Sequence, residues 1–146
     1  MPGIRVQQAP FDYAQECERF AAGRMDTGAV VTFCGIVRGD GALKTMEIEH
    51  YPGMTERALR QITDEACARW SLTDALVIHR FGPLVPGERI MMVATAAPHR
   101  ADAFAAADFL MDYLKSRAPF WKKETRKDGT SWVAAKTSDE DALTRW

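Results

Sequence analysis

The chain has 146 residues, 47% of them apolar and 27% charged, with a formal net charge of −1. That size and balance describe one globular domain with a real core, spanning 1–146, and the near-zero net charge gives no overall bias toward nucleic acid or a membrane surface. No apolar run approaches the roughly 20 residues that cross a bilayer, and Met1–Pro10 lacks the apolar stretch of a secretory signal, so a cytoplasmic protein is expected.

Ile4–Gln8 reads as a short strand ended by Pro10. Asp12 then caps a helix running to Arg19–Ala22, with Tyr13, Cys17, Phe20 and Ala21 on one face. Gly28–Arg38 is almost continuously apolar and β-branched, which predicts a central strand buried on both faces. After the turn Gly39–Gly41, Lys44–His50 alternates Met46 and Ile48 with Glu47 and Glu49, as a half-buried strand does. Thr55–Trp70 carries the stripe Leu59, Ile62, Ala66 and Trp70 of an amphipathic helix.

Strands at Ala75–Phe81 and Arg89–Ala97 are expected to form a hairpin across the turn-rich Gly82–Gly87. A third helix, His99 to Arg117, is bounded by Pro98 and Pro119. Phe120–Arg126 and Ser131–Ala135 close a last hairpin around Asp128-Gly129. The order β-α-β-β-α-β-β-α-β-β predicts an α+β fold, with a mixed, largely antiparallel sheet and three main helices.

Cys17, Cys34 and Cys67 are an odd number at wide spacing, which argues for free thiols rather than a disulfide framework or metal knuckle. His50, His79 and His99 share no metal-binding spacing, so no metal site is expected. Arg117–Trp132 packs five cations among three aromatics. This can be an anion site, a single-strand nucleic-acid surface or a solvated hairpin. A pI near 6.3 and the acidic Ser138–Asp141 weigh against nucleic acid. Strand alternation also turns Lys122 and Glu124 to one face and Lys123 to the other. His99 and Arg100 stand where a strand hands over to a helix N-terminus, a place that attracts anions. Lys115 shares a helix face with Met111 and Asp108, and Arg38 ends the long strand; on the residues alone both read first as solvent side chains.

An ordered series of segments resembles the large, catalytic subunit of molybdopterin synthase. The segments are G-A-V-V-T-F-C-G-I-V-R (28–38), E-H-Y-P-G-M-T-E (49–56), V-I-H-R-F-G (77–82), A-P-H-R-A-D-A-F (97–104) and F-L-M-D-Y-L-K-S-R-A-P-F-W-K-K-E (109–124). D-G-T-S-W-V (128–133) and Arg145-Trp146 continue it, so it covers nearly everything from Gly28 onward.

The resemblance implies an α/β hammerhead fold and the conversion of cyclic pyranopterin monophosphate (precursor Z) to molybdopterin. Sulfur would come from the thiocarboxylated Gly-Gly tail of a small ubiquitin-like subunit. It also implies a homodimer of large subunits, with a small subunit at each end of a heterotetramer, and no cofactor. The family's essential lysine falls on Lys115 and its second on Lys122. Substrate-binding positions fall on Ile36, Val37, Arg38, His99, Arg100, Lys123 and Glu124, and pocket-lining ones on Phe33 and Met111. Two departures stand out: the loop after Arg38 is short, and Lys136 replaces an arginine, which loses bidentate phosphate recognition.

Two anions must meet in such a site, which accounts physically for clustered cations. A lysine buried among like charges is suited to proton transfer at the reacting centre, the role expected of Lys115, with Lys122 stabilising developing negative charge. Sulfur arrives on the partner, so Cys34 is not required.

Overall fold

Side-chain alternation on two central strands organises the molecule, whose computed structural model describes residues 2–133 and 137–146. One four-stranded sheet holds, in spatial order, β1 (Gly3–Gln7), β4 (Asp74–Arg80), β6 (Arg89–Ala97) and β2 (Ala29–Ile36). The other holds β5 (Gly82–Leu84), β3 (Leu43–His50), β7 (Phe120–Arg126) and β8 (Gly129–Trp132). Among the described residues β1 runs parallel to β4 and the remaining pairs are antiparallel. The helices are α1 (Tyr13–Ala21), α2 (Met54–Trp70), α3 (Arg100–Ser116) and the short α4 (Thr137–Ala142), which leads into a 3-10 turn at Leu143–Arg145.

Leu76, Ile78, Met92, Ala94 and Ala96 face α1 and pack with Phe11 and Phe20. Their neighbours Val77, Met91 and Val93 face the opposite way, into the main core with Leu59, Phe109 and Leu110 of α2 and α3. Ile48 of the second sheet joins that core and is fully buried. Each such aliphatic side chain stabilises the fold by about 1.5–3 kcal/mol through burial. Asp12 caps α1 as expected, its carboxylate accepting the Gln15 N–H at 3.0 Å.

Three expectations need correction. The apolar run Gly28–Arg38 is not central: among the described residues β2 ends the first sheet, bonded only to β6, and Phe33 and Ile36 are exposed. The strands buried on both faces are β4 and β6. Composition reports what a strand could bury, whereas its place in the sheet is set by distant partners. Second, β4 and β6 do pair, but Gly82–Leu84 is more than a link; as β5 it crosses to the second sheet and pairs with β3. Third, β8 starts at Gly129 rather than Ser131. Ala134, Ala135 and Lys136 lie outside the described residues.

One contact fixes the site's framework. Gly28 donates its N–H to Ala97 O at 3.0 Å. A Cβ on Gly28 would lie 2.2 Å from the Pro98 carbonyl oxygen, so only glycine fits where β2 passes the entry to α3.

Candidate functional site

α3 crosses β2 and β6, and its buried Ala103, Ala106 and Ala107 let it approach the sheet closely. Beside this tight seam the larger side chains part. A cleft of about 420 Å³ opens between β2 and α3, lined by Phe33, Phe104, Asp108, Met111, Asp112 and Lys115 among others. Phe33, Met111 and Lys115, distant in sequence, thus meet on one wall and rim. Lys115 is exposed in the last turn of α3, not buried as its expected role suggests.

Lys122 comes from the other sheet. In β7 it lies opposite the buried Ile48, whereas Lys123 lies opposite Glu47 on the alternate face. Lys123 reaches Glu47 at 3.9 Å and sits 5.3 Å from the Trp132 ring centroid. Glu124 returns to the face of Lys122, and its carboxylate accepts from Arg126 at 2.8 Å. Arg126 also pairs with Asp40, and Arg117 with Glu140, so much of the basic segment's charge is answered by nearby acids.

The residue that relates the two lysines is His79, which the sequence reading placed in the segment V-I-H-R-F-G (77–82) without giving it a role. Its ring is buried, and Nδ1–H donates to the Arg80 carbonyl at 2.8 Å. Burial pushes its pKa down to about 3; the bond to Arg80 opposes this, while the charges of Lys122 and Lys115 and then His50 add to it. His79 is therefore neutral, with both lysines within electrostatic reach. The signal available in the sequence was a lone histidine in an otherwise apolar strand.

Arg38 is exposed just beyond β2. Ile36 is exposed too, but Val37 is buried in the main core, and its backbone pairs with Glu88 O at 2.9 Å and Gly87 N at 2.8 Å. Val37 therefore holds its neighbours rather than offering a side chain. His99 and Arg100 are exposed at the start of α3. A helix rises about 1.5 Å per residue, which separates Arg100 from Lys115 by about 22 Å along the axis. Within one chain they do not share a site.

Cys34 faces away from the cleft, on the α1 side of β2, near Arg89 and Cys17. Burial raises its thiol pKa, which disfavours the thiolate. Among the described residues no group of three His, Cys, Asp or Glu side chains comes together as a metal site, and no helix is long and apolar enough to cross a membrane.

The family model described as "MoaE protein" matches residues 6–117. The chain belongs to the MoaE family. A relative from Cereibacter sphaeroides named "Molybdopterin synthase catalytic subunit" is 65% identical over 144 residues, covering 98% of this chain and 99% of its own. The solved MoaE protein from Burkholderia ambifaria is 50% identical, with a TM-score of 0.86 over 100% of this chain and 98% of its own. Molybdopterin synthase from Staphylococcus aureus, 34% identical, superposes with a TM-score of 0.81 over 89% and 96%. As a MoaE protein the chain is the catalytic subunit of a sulfurtransferase of molybdenum cofactor biosynthesis.

Proposed function

We propose that Lys115 and Lys122 carry the chemistry, and that the cleft between β2 and α3 guides the thiocarboxylated Gly-Gly tail of a small ubiquitin-like subunit to them. The observation that supports this is the cleft itself, whose apolar walls Phe33 and Met111 lead to Lys115. Apolar walls suit an extended Gly-Gly segment, and a cation at the end suits its anionic terminus. The tail's sulfur attacks a side-chain carbon of precursor Z and displaces the oxygen substituent there, which takes up a proton as it leaves, so that an acyl thioester to the pterin forms; a second tail repeats the step at the adjacent carbon. Water then cleaves the acyl–sulfur bond, which returns the tail as a carboxylate and leaves sulfur on the pterin. Lys115 moves the proton or stabilises the acyl intermediate, and Lys122 offsets negative charge at the reacting carbons.

Arg38 and Ile36 lie at the edge of β2, where the substrate phosphate would be held, with Lys123 and Glu124 framing the second sheet. His99 and Arg100 complete the substrate site from a second copy, because their own Lys115 is about 22 Å along the helix. The working assembly is a cytoplasmic heterotetramer: a homodimer of this chain with one small subunit at each end.

The test mixes the protein with thiocarboxylated small subunit and precursor Z and quantifies dithiolene product. Lys115→Ala is expected to lose turnover by at least about a hundredfold while still forming the complex. Turnover like the wild type's in this variant would end the assignment. Binding of the tail without product in the wild type would mark the chain as a docking platform.

A further inference from the structure

The chain's last turn folds back onto the acidic side of the cleft. Arg145 donates to both oxygens of Asp108, at 3.0 and 3.2 Å, and also pairs with Asp112. The indole N–H of Trp146 donates to the same Asp112 carboxylate at 2.6 Å. Trp146 is seated edge-on against Trp70 and Phe109, each at 5.5 Å between centroids, and Arg69 donates to its backbone oxygen at 2.9 Å.

Asp108 and Asp112 line the cleft that ends at Lys115. Helical spacing sets all three on one face, with Asp112 a turn from the lysine. Uncovered, two carboxylates outnumber one ammonium and repel any anion that enters. Arg145 changes that balance, because its guanidinium is always cationic and is bonded to both acids.

We propose that Arg145 is a specificity-determining residue. By capping Asp108 and Asp112 it makes the cleft electrically acceptable to an anionic chain terminus. This rests on the reading that the small subunit's tail threads the cleft. Arg145 does not touch the reacting atoms; it acts by cancelling charge along the path.

The experiment compares two forms of the small subunit, one ending in a free Gly-Gly carboxylate and one in the C-terminal amide, by titration calorimetry. The Arg145→Gln variant is expected to bind the carboxylate form about three- to tenfold more weakly, an effect that grows at low salt, and to bind the amide form as the wild type does. Adding Asp108→Asn and Asp112→Asn to Arg145→Gln should restore carboxylate binding, and Arg145→Lys should largely retain it. Equal weakening for both forms would mean that Arg145 only braces Trp146, and unchanged binding would mean that it does nothing; either overturns the proposal. Wild-type protein that binds neither form would instead refute tail threading itself.

Discussion

His79 and Phe120 stack face to face, with ring centroids 3.7 Å apart and planes 15° from parallel. His79 belongs to the first sheet and Phe120 opens β7 of the second, so the stack joins the two. Phe120 also lies between Lys115 and Lys122 in sequence, directly after Pro119. The stack therefore holds the start of β7, the strand that carries Lys122, against the first sheet. Phe120 also meets its cross-strand partner His50, at 6.1 Å, and His50 in turn meets Phe81 at 4.5 Å.

Phe120→Ala removes that register pin. We expect a loss of about 2 kcal/mol of stability, read by urea denaturation. Turnover should fall by more than tenfold even where the protein is fully folded, because small misplacements of a catalytic group are costly. Full turnover in the folded variant would show that the stack does not set the lysine geometry.

Acid should destabilise the protein through His79. Its pKa is about 3 when folded, against 6.5 as the ordinary value. The unfolded chain therefore binds the proton first, and stability falls as pH drops from about 6.5 towards 3, by up to about 1.4 kcal/mol per pH unit. Below pH 3 this contribution is spent. Lys115, Lys122 and His50 are the charged or titratable groups acting on it. His79→Gln should flatten this part of the stability–pH curve; an equally steep curve in the variant would mean other groups govern acid unfolding.

Cys34→Ala should leave dithiolene production unchanged. The side chain lies on the α1 face of β2, opposite the cleft, and its thiol is held protonated by burial. Loss of product from the folded variant would place a chain-borne sulfur in the reaction.

The two adjacent lysines of β7 should separate cleanly. Lys122→Ala is expected to cost about a hundredfold or more in turnover, and Lys123→Ala only a few-fold, since strand alternation turns Lys123 to Glu47 and Trp132. Equal losses in kcat would show that the substrate reaches both faces of the strand.

Much of this was legible in the chain itself. Asp12, Pro98, Pro119 and Asp128-Gly129 are local signals, and they marked a helix start, the ends of α3 and a hairpin because caps, rings and turns act within a few residues. The alternation of Met46 and Ile48 likewise placed a strand. What escaped depends on residues far apart. Whether β2 is central or peripheral is decided by β6, some sixty residues on, and β1 gives no local hint that it pairs in parallel with β4. The site shows the same division. The resemblance pointed to Lys115, Phe33 and Met111, which the fold does bring together, but charge patterning alone read Lys115 as a solvent residue. His79 and the capping of Asp108 and Asp112 by Arg145 were invisible, because each is a contact between segments that composition treats separately.

The missing side chain at Gly28 has a mechanical meaning. With no clearance between that position and the carbonyl of Pro98, the strand serves as an end-stop for α3, a rod about 25 Å long. A methyl group there would not merely strain a turn. It would force the start of β2 and the entry to α3 apart, shifting against each other the strand and the helix that carries Lys115 at its far end.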